Sequence, residues 1–138
     1  MTVPFQYAHA SEEFDRFLQE AKVALDHVTT HQTYQTIESL LRVFRRRLAV
    51  EDALAFADAL PAVLRAIFVA DWHLDEPQRP FASLSELNRE LQQIRRNHDF
   101  SPDNAIEIVA PIVTKYTDRV QFDRVLATLP PEAKAFWS

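Results

Sequence analysis

"ADALPAVLRAIFVADW" occupies Ala57–Trp72, and the chain closes on "LATLPPEAKAFW" from Leu126 to Trp137. Both stretches carry a Leu-Pro pair, a basic residue four positions after that proline, and an aromatic end. The matching prolines, Pro61 and Pro130, stand 69 positions apart. Proline lacks a backbone N–H and has a preset φ, so it can open a helix but not continue one. Each stretch therefore reads as the end of one helix followed by the start of another.

Working outward from these anchors, the same order of apolar stripes appears twice. Phe14, Phe17, Leu18, Ala21, Leu25 and Val28 recur at helical spacing after Ser11, Glu12 and Glu13. Tyr34, Ile37, Leu41, Phe44 and Leu48 make a second stripe, and Ala53, Phe56, Ala57 and Leu60 a third. Leu64, Ile67 and Phe68 follow Pro61 as a fourth. Leu84, Leu87, Leu91 and Ile94 then repeat the first stripe at an offset of 70. Ile106, Val109 and Val113 repeat the second at 69, behind Ser101-Pro102-Asp103 as a cap-plus-proline start. Phe122, Val125, Leu126 and Leu129 repeat the third, and Phe136 and Trp137 after Pro130 repeat the fourth. The expectation is an all-α single domain over 1–138, with about eight helices in two similar four-helix repeats, 12–69 and 82–137. The connector, 70–81, holds "WHLDEPQRP", and its Trp72 and Leu74 are expected to be buried against the rest. A unit of about 65 residues has little core alone, so the repeats should share one.

Composition narrows the function classes. The chain has 138 residues, 47% apolar and 25% charged, with a net charge of −5. Residues 1–69 carry seven basic and nine acidic side chains, and residues 70–138 carry eight and eleven. Neither half reads as a nucleic-acid or membrane arm. The longest apolar run, Ala66–Ala70, is far too short for a membrane span, and "MTVPFQYAHASEE" lacks the pattern of a secretory leader. A cytoplasmic protein is the expectation. The sequence contains no Cys, which excludes thiol nucleophiles, disulfides and thiolate metal sites. It also contains no Gly, which excludes phosphate-cradling loops, dinucleotide fingerprints and the Gly-x-Ser-x-Gly elbow.

The stretch "LLRVFRRRLAVEDALAFADALPAVLRAIFVADW", Leu40–Trp72, resembles the signature of the bacterial DUF2267 family. The matching features are a Leu-rich helix, an acidic "VEDA" start, the "LP..LR" pattern and the aromatic-Trp end. The likeness extends over about Phe14–Trp137. It implies an all-helical protein with two similar halves and brings no catalytic residues with it. Members commonly place Gly before the linker Trp, where this chain has Asp71.

Several residues were weighed for chemistry. His27 and His31 have the i, i+4 spacing of a metal-binding pair, but Thr29 and Thr30 place a helix end between them. His9, His73 and His98 fall in termini or connections. Glu51 and Asp52 suit a helix start, while Asp58 and Asp123 read as solvated flanks. Pro111 sits inside a helix and should bend it. Catalytic, cofactor and metal residues are therefore expected to be none, and cofactors none. The candidates for partner contact are Arg42 and Arg46 from "LLRVFRRRL", with Arg65 and Lys134, which match across the repeats. Arg46 should point away from the apolar stripe, Arg45 and Arg47 should flank it, and Glu38 should pair with Arg42. The expected function is that of a non-catalytic helical binding protein, with an unknown protein partner or a homo-oligomer, no nucleic acid and no membrane. The alternative is an enzyme or small-ligand binder using a cavity between the repeats.

Overall fold

Thr29 opens the longest helix of the protein. Its hydroxyl accepts from the Gln32 N–H, and the Gln32 side chain reaches back to the Thr29 N–H. This reciprocal cap satisfies amides that a bare helix start would leave open. The computed structural model describes residues 3–95 and 100–138, so the expectation placed on His98 lies outside the described residues. Among the described residues the chain is all-α, with nine helices and no strand. They are α1 (Phe5–Ala8), α2 (Ala10–Ala24), α3 (Thr30–Arg45), α4 (Val50–Asp58), α5 (Ala62–Val69), α6 (Leu84–Gln93), α7 (Ala105–Lys115), α8 (Arg119–Ala127) and α9 (Pro131–Phe136). The count exceeds the expected eight by α1, a single turn that buries none of its residues. No helix among the described residues is long and apolar enough to cross a membrane.

The two prolines act as expected from their ring chemistry. Pro61 and Pro130 are the N-cap residues of α5 and α9, at φ −55° and ψ 155° and 151° respectively. Glu51 and Asp52 lie in the first turn of α4, where negative charge favours the helix dipole.

Three local expectations shift. Val28 lies past the end of α2 and is 81% exposed, because the chain turns at Asp26 before reaching it. The Ser101-Pro102-Asp103 stretch does not start α7, which begins at Ala105 behind Asn104. Its first-turn amide at Ile106 is capped by Asn88 Oδ1 from α6, at 2.9 Å, while Asn88 Nδ2 donates to Glu107 at 2.7 Å. Leu74 is 67% exposed and does not join the core.

The helices pack around α3, which touches α2, α5, α6 and α7. Helix α2 also packs on α7, and α4 on α8. Lys115 and Tyr116, at the end of α7, both donate to Glu20 on α2. Phe44 stands at the centre of the core, 4.8 Å from Phe56, 4.8 Å from Phe136 and 5.3 Å from Trp137, ring centre to ring centre. Phe56 in turn meets Phe68, Phe122 and Trp137. Aromatic rings from both ends of the chain thus fill one interior, and rings at these separations attract beyond their area burial.

Candidate functional site at the end of α3

The basic run Arg45-Arg46-Arg47 ends α3 and meets the connector. A helix end leaves carbonyls without intrahelical partners. Here the connector supplies two donors: the Arg79 N–H reaches the Arg46 carbonyl at 2.9 Å, and Gln78 Nε2 reaches the Arg47 carbonyl at 3.0 Å.

The three guanidinium groups then divide the surroundings. Arg47 is buried and bidentate on Glu90 of α6, at 2.7 and 2.6 Å, and also donates to the Pro80 and Val43 carbonyls. Arg46 bridges Glu76 of the connector and Glu90, both at 3.2 Å, with its side chain 19% exposed. Arg79 adds a third cation 3.5 Å from Glu90. Burial alone would raise the Glu90 carboxyl pKa, but the hydrogen bonds and charges of Arg47, Arg46 and Arg79 outweigh it. The group is held below its ordinary value.

Arg45 behaves differently. It is 3% exposed, and its Nη1 donates to the carbonyls of Phe68 and Ala70, at 3.0 and 2.8 Å, closing the end of α5. Its guanidinium lies 5.2 Å over the Trp72 ring. Trp72 is partly buried by this contact, as expected from its size. Asp71, the residue before Trp72, is at φ 52°, in the left-handed region that glycine occupies most readily.

The four cations proposed from sequence are not brought together. Arg46 is engaged as above. Arg65 lies on α5 and caps α4, donating to the carbonyls of Ala57, Asp58 and Leu60 at 3.1, 3.4 and 3.2 Å. Lys134, its counterpart in sequence, is exposed and makes no side-chain hydrogen bond or ion pair among the described residues. Arg42 is half-buried and likewise has no such partner among them. The expected Glu38–Arg42 pair is replaced by Glu38 with Arg95, just past the end of α6, and Tyr34 donates to Glu38 as well. Burial, and then the neighbouring Glu38 charge, raise the Tyr34 pKa.

The remaining candidates are separated. His27 Nε2 donates to the Phe100 carbonyl at 2.8 Å and Nδ1 lies 3.0 Å from Thr33 Oγ1, while His31 contacts Gln35. Asp58 is exposed, and Asp123 faces Arg119 at 3.5 Å. Pro111 faces solvent in α7. Among the described residues no group of three or more His, Asp or Glu side chains is placed to hold a metal ion. The roles of Arg45, Arg47 and Glu90 were missed by sequence reasoning. No local signal points to them, since Glu90 lies 43 positions beyond Arg47.

Residues 14–136 match the family described as "Uncharacterized conserved protein (DUF2267)". The chain belongs to the DUF2267 family. A comparison with curated proteins finds no match. The DUF2267 match spans the arginine-rich end of α3, the Ala57–Trp72 stretch, the connector and all of the Leu126–Trp137 stretch but its final Trp137. In this DUF2267 chain Asp71 holds the left-handed backbone that the family's usual glycine would adopt without a Cβ penalty.

Proposed function

We propose that this protein is a non-catalytic interaction module built from two copies of a four-helix unit. The filled junction between the halves carries this reading. Phe44 and Phe56 from one side meet Phe122, Phe136 and Trp137 from the other, leaving no room there for a substrate beside paired acid–base groups. The cavity where α2 and α5 approach Tyr116 holds about 70 Å³ and is walled mainly by Phe14, Phe17 and Leu64. That is well below the volume of ordinary ligand pockets. The alternative, a small-ligand binder or enzyme, would have to use the open polar cleft of about 740 Å³ between Arg47, the connector and α6, where the Glu90 carboxylate is already held by Arg46, Arg47 and Arg79.

The duplication is supported by three observations. Helices α4 and α8 begin at Val50 and Arg119, 69 positions apart, and Pro61 and Pro130 share that spacing and their backbone angles. Helix α2 packs on α7 as α3 packs on α6, and α4 meets α8. This is the pairing that exchange of the two units would leave unchanged. An overlay of 12–69 on 82–137 that failed to place Leu60 on Leu129 would overturn it.

Of the four cations, Arg42 and Lys134 remain for a partner, while Arg46 and Arg65 are held by internal contacts. An acidic protein surface is preferred to nucleic acid, since a net charge of −5 repels a polyanion. The test is affinity capture from the native host followed by reconstitution. A stoichiometric complex weakened by Arg42→Glu with Lys134→Glu is expected. Turnover of a metabolite by the purified protein, abolished by one carboxylate substitution, would overturn the reading.

A further inference from the structure

Arg45 also lines a cleft of about 300 Å³ between the end of α3, the start of α4 and the connector. Its walls include Leu48, Val50, Trp72, Leu74 and Pro77, and Leu74 and Val50 are 67% and 40% exposed at the rim. Three features at this place point to one ligand chemistry. First, Arg45 is 97% buried, yet no carboxylate lies within ion-pairing distance of it among the described residues. Its Nη1 is used on two carbonyls, whereas Nε and Nη2 have no hydrogen-bond partner among those residues. Buried cations are ordinarily paired, because removing an ion from water is costly without a counter-charge. Second, the other charges in the cleft cancel: Arg46 is bound to Glu76. Burial, and then the neighbouring Arg42 charge, lower the Arg45 pKa; Glu76 and Asp71 act on it the other way through space, without forming an ion pair. Third, α4 begins in the cleft behind Ala49, which has no side chain to accept from the first-turn N–H groups.

Two arginines against one glutamate among the lining residues, open backbone donors and apolar walls suit a monoanion attached to an apolar body. They suit a phosphate dianion poorly, since Glu76 lines the cleft and Glu51 and Asp52 sit in the first turn of α4. A carboxylate next to its own apolar side chain is the chemistry of a chain terminus. We propose that this cleft captures the C-terminal carboxylate and apolar last residue of a partner protein, with Arg45 as the anion contact and Trp72, Val50 and Leu74 as the apolar walls. The assignment rests on the interaction reading for the nature of the occupant.

The test uses the full chain and the indole N–H signals of its two tryptophans, with Trp72 assigned by Trp72→Phe. The probes are the peptide acetyl-Ala-Ser-Leu-Phe with a free carboxylate, the same peptide amidated, an amidated peptide with an internal Leu-Asp-Phe, and inorganic phosphate. The free acid should shift the Trp72 signal saturably, and amidation should weaken binding by about tenfold or more, the scale of a charge-assisted hydrogen bond. Arg45→Gln should weaken the acid to the level of the amide. Leu74→Glu, at an exposed position that leaves the fold intact, should do so independently by repulsion. Equal binding of acid and amide, equal binding of the internal-Asp peptide, phosphate binding as tight as the acid, or an unmoved Trp72 signal at millimolar acid would each overturn the proposal. If the peptides fail while a reconstituted host complex is unaffected by Leu74→Glu, the cleft assignment falls and the interaction reading stands.

Discussion

At the scale of single residues, a chain without glycine has to place another residue wherever the backbone turns left-handed. It uses aspartate twice, Asp26 at φ 55° and Asp71 at φ 52°. Asp26 ends α2: its N–H reaches the Val23 carbonyl and the His27 N–H reaches the Lys22 carbonyl, the paired bonds of a Schellman end. A left-handed non-glycine residue carries about 1–2 kcal/mol of steric cost, partly offset in glycine by about 0.5–1 kcal/mol of extra chain entropy. Asp71→Gly should therefore stabilise the protein by about 0.5–1 kcal/mol, and Asp26→Gly should add to it, since the two turns are independent. Asp71→Val should destabilise by about 1–2 kcal/mol. Urea unfolding checks all three, and a loss of stability in Asp71→Gly would refute the account. At the next position, Trp72→Ala should cost about 2–4 kcal/mol by removing a partly buried ring and the stacked face of Arg45. A neutral variant would show that the connector is not pinned.

At the scale of elements, Glu90 decides how α6 and the connector sit on α3. Arg46, Arg47 and Arg79 converge on this one carboxylate, and Arg47 is 5% exposed. Glu90→Gln leaves that guanidinium buried without a counter-charge and should destabilise by about 2–4 kcal/mol. The pH dependence has a definite sign. With the folded carboxyl below its ordinary value of 4.5, the unfolded chain takes up its proton first as the solution is acidified. The stabilisation is complete above that value and is lost as pH falls through the folded one. Urea midpoints of the wild type and Glu90→Gln should therefore differ most at neutral pH and converge in acid below about pH 4.5. A constant difference across that range would exclude the carboxylate as its source. The same element-scale dependence explains α7, whose first turn is capped by Asn88 of α6 and not by the serine three positions before its own N-cap.

At the scale of the whole molecule, one interior serves both halves. Trp137, the penultimate residue, is 4% exposed and touches Phe44, Phe56 and Phe122. Trp137→Ala should cost about 3–5 kcal/mol, and Trp137→Phe much less, because its indole N–H is buried without a partner and forfeits no hydrogen bond when removed. A chain cut after residue 80 loses half of the aromatic cluster and should show no cooperative thermal transition. A sharp transition in that fragment would make the halves independent. Binding to duplex DNA at about 150 mM salt should be unmeasurable, and micromolar binding weakened by Arg42→Glu would reverse that expectation.

Helix type, order and facing were legible in the sequence because each helix carries its own apolar stripe, and burial follows the stripe with little regard to neighbours. Phe17, Ile37, Phe44, Phe56, Leu64, Val109, Phe122 and Phe136 are all buried, as spacing alone predicts. Pro61 and Pro130 cap helices because a ring closed on the backbone nitrogen acts locally, whatever surrounds it. Charge is another matter. A wheel sets Arg46 away from the apolar stripe and Arg45 and Arg47 at its flanks, yet Arg45 is buried over Trp72, Arg46 and Arg47 are both bound to Glu90, and Arg42 stands without a partner among the described residues. Their roles depend on residues 27 to 44 positions away in the chain, and a charge takes its meaning from its counter-charge and its burial. Local chemistry determined the helices; only the tertiary structure decided which arginines are held by internal contacts and which one has no partner among the described residues.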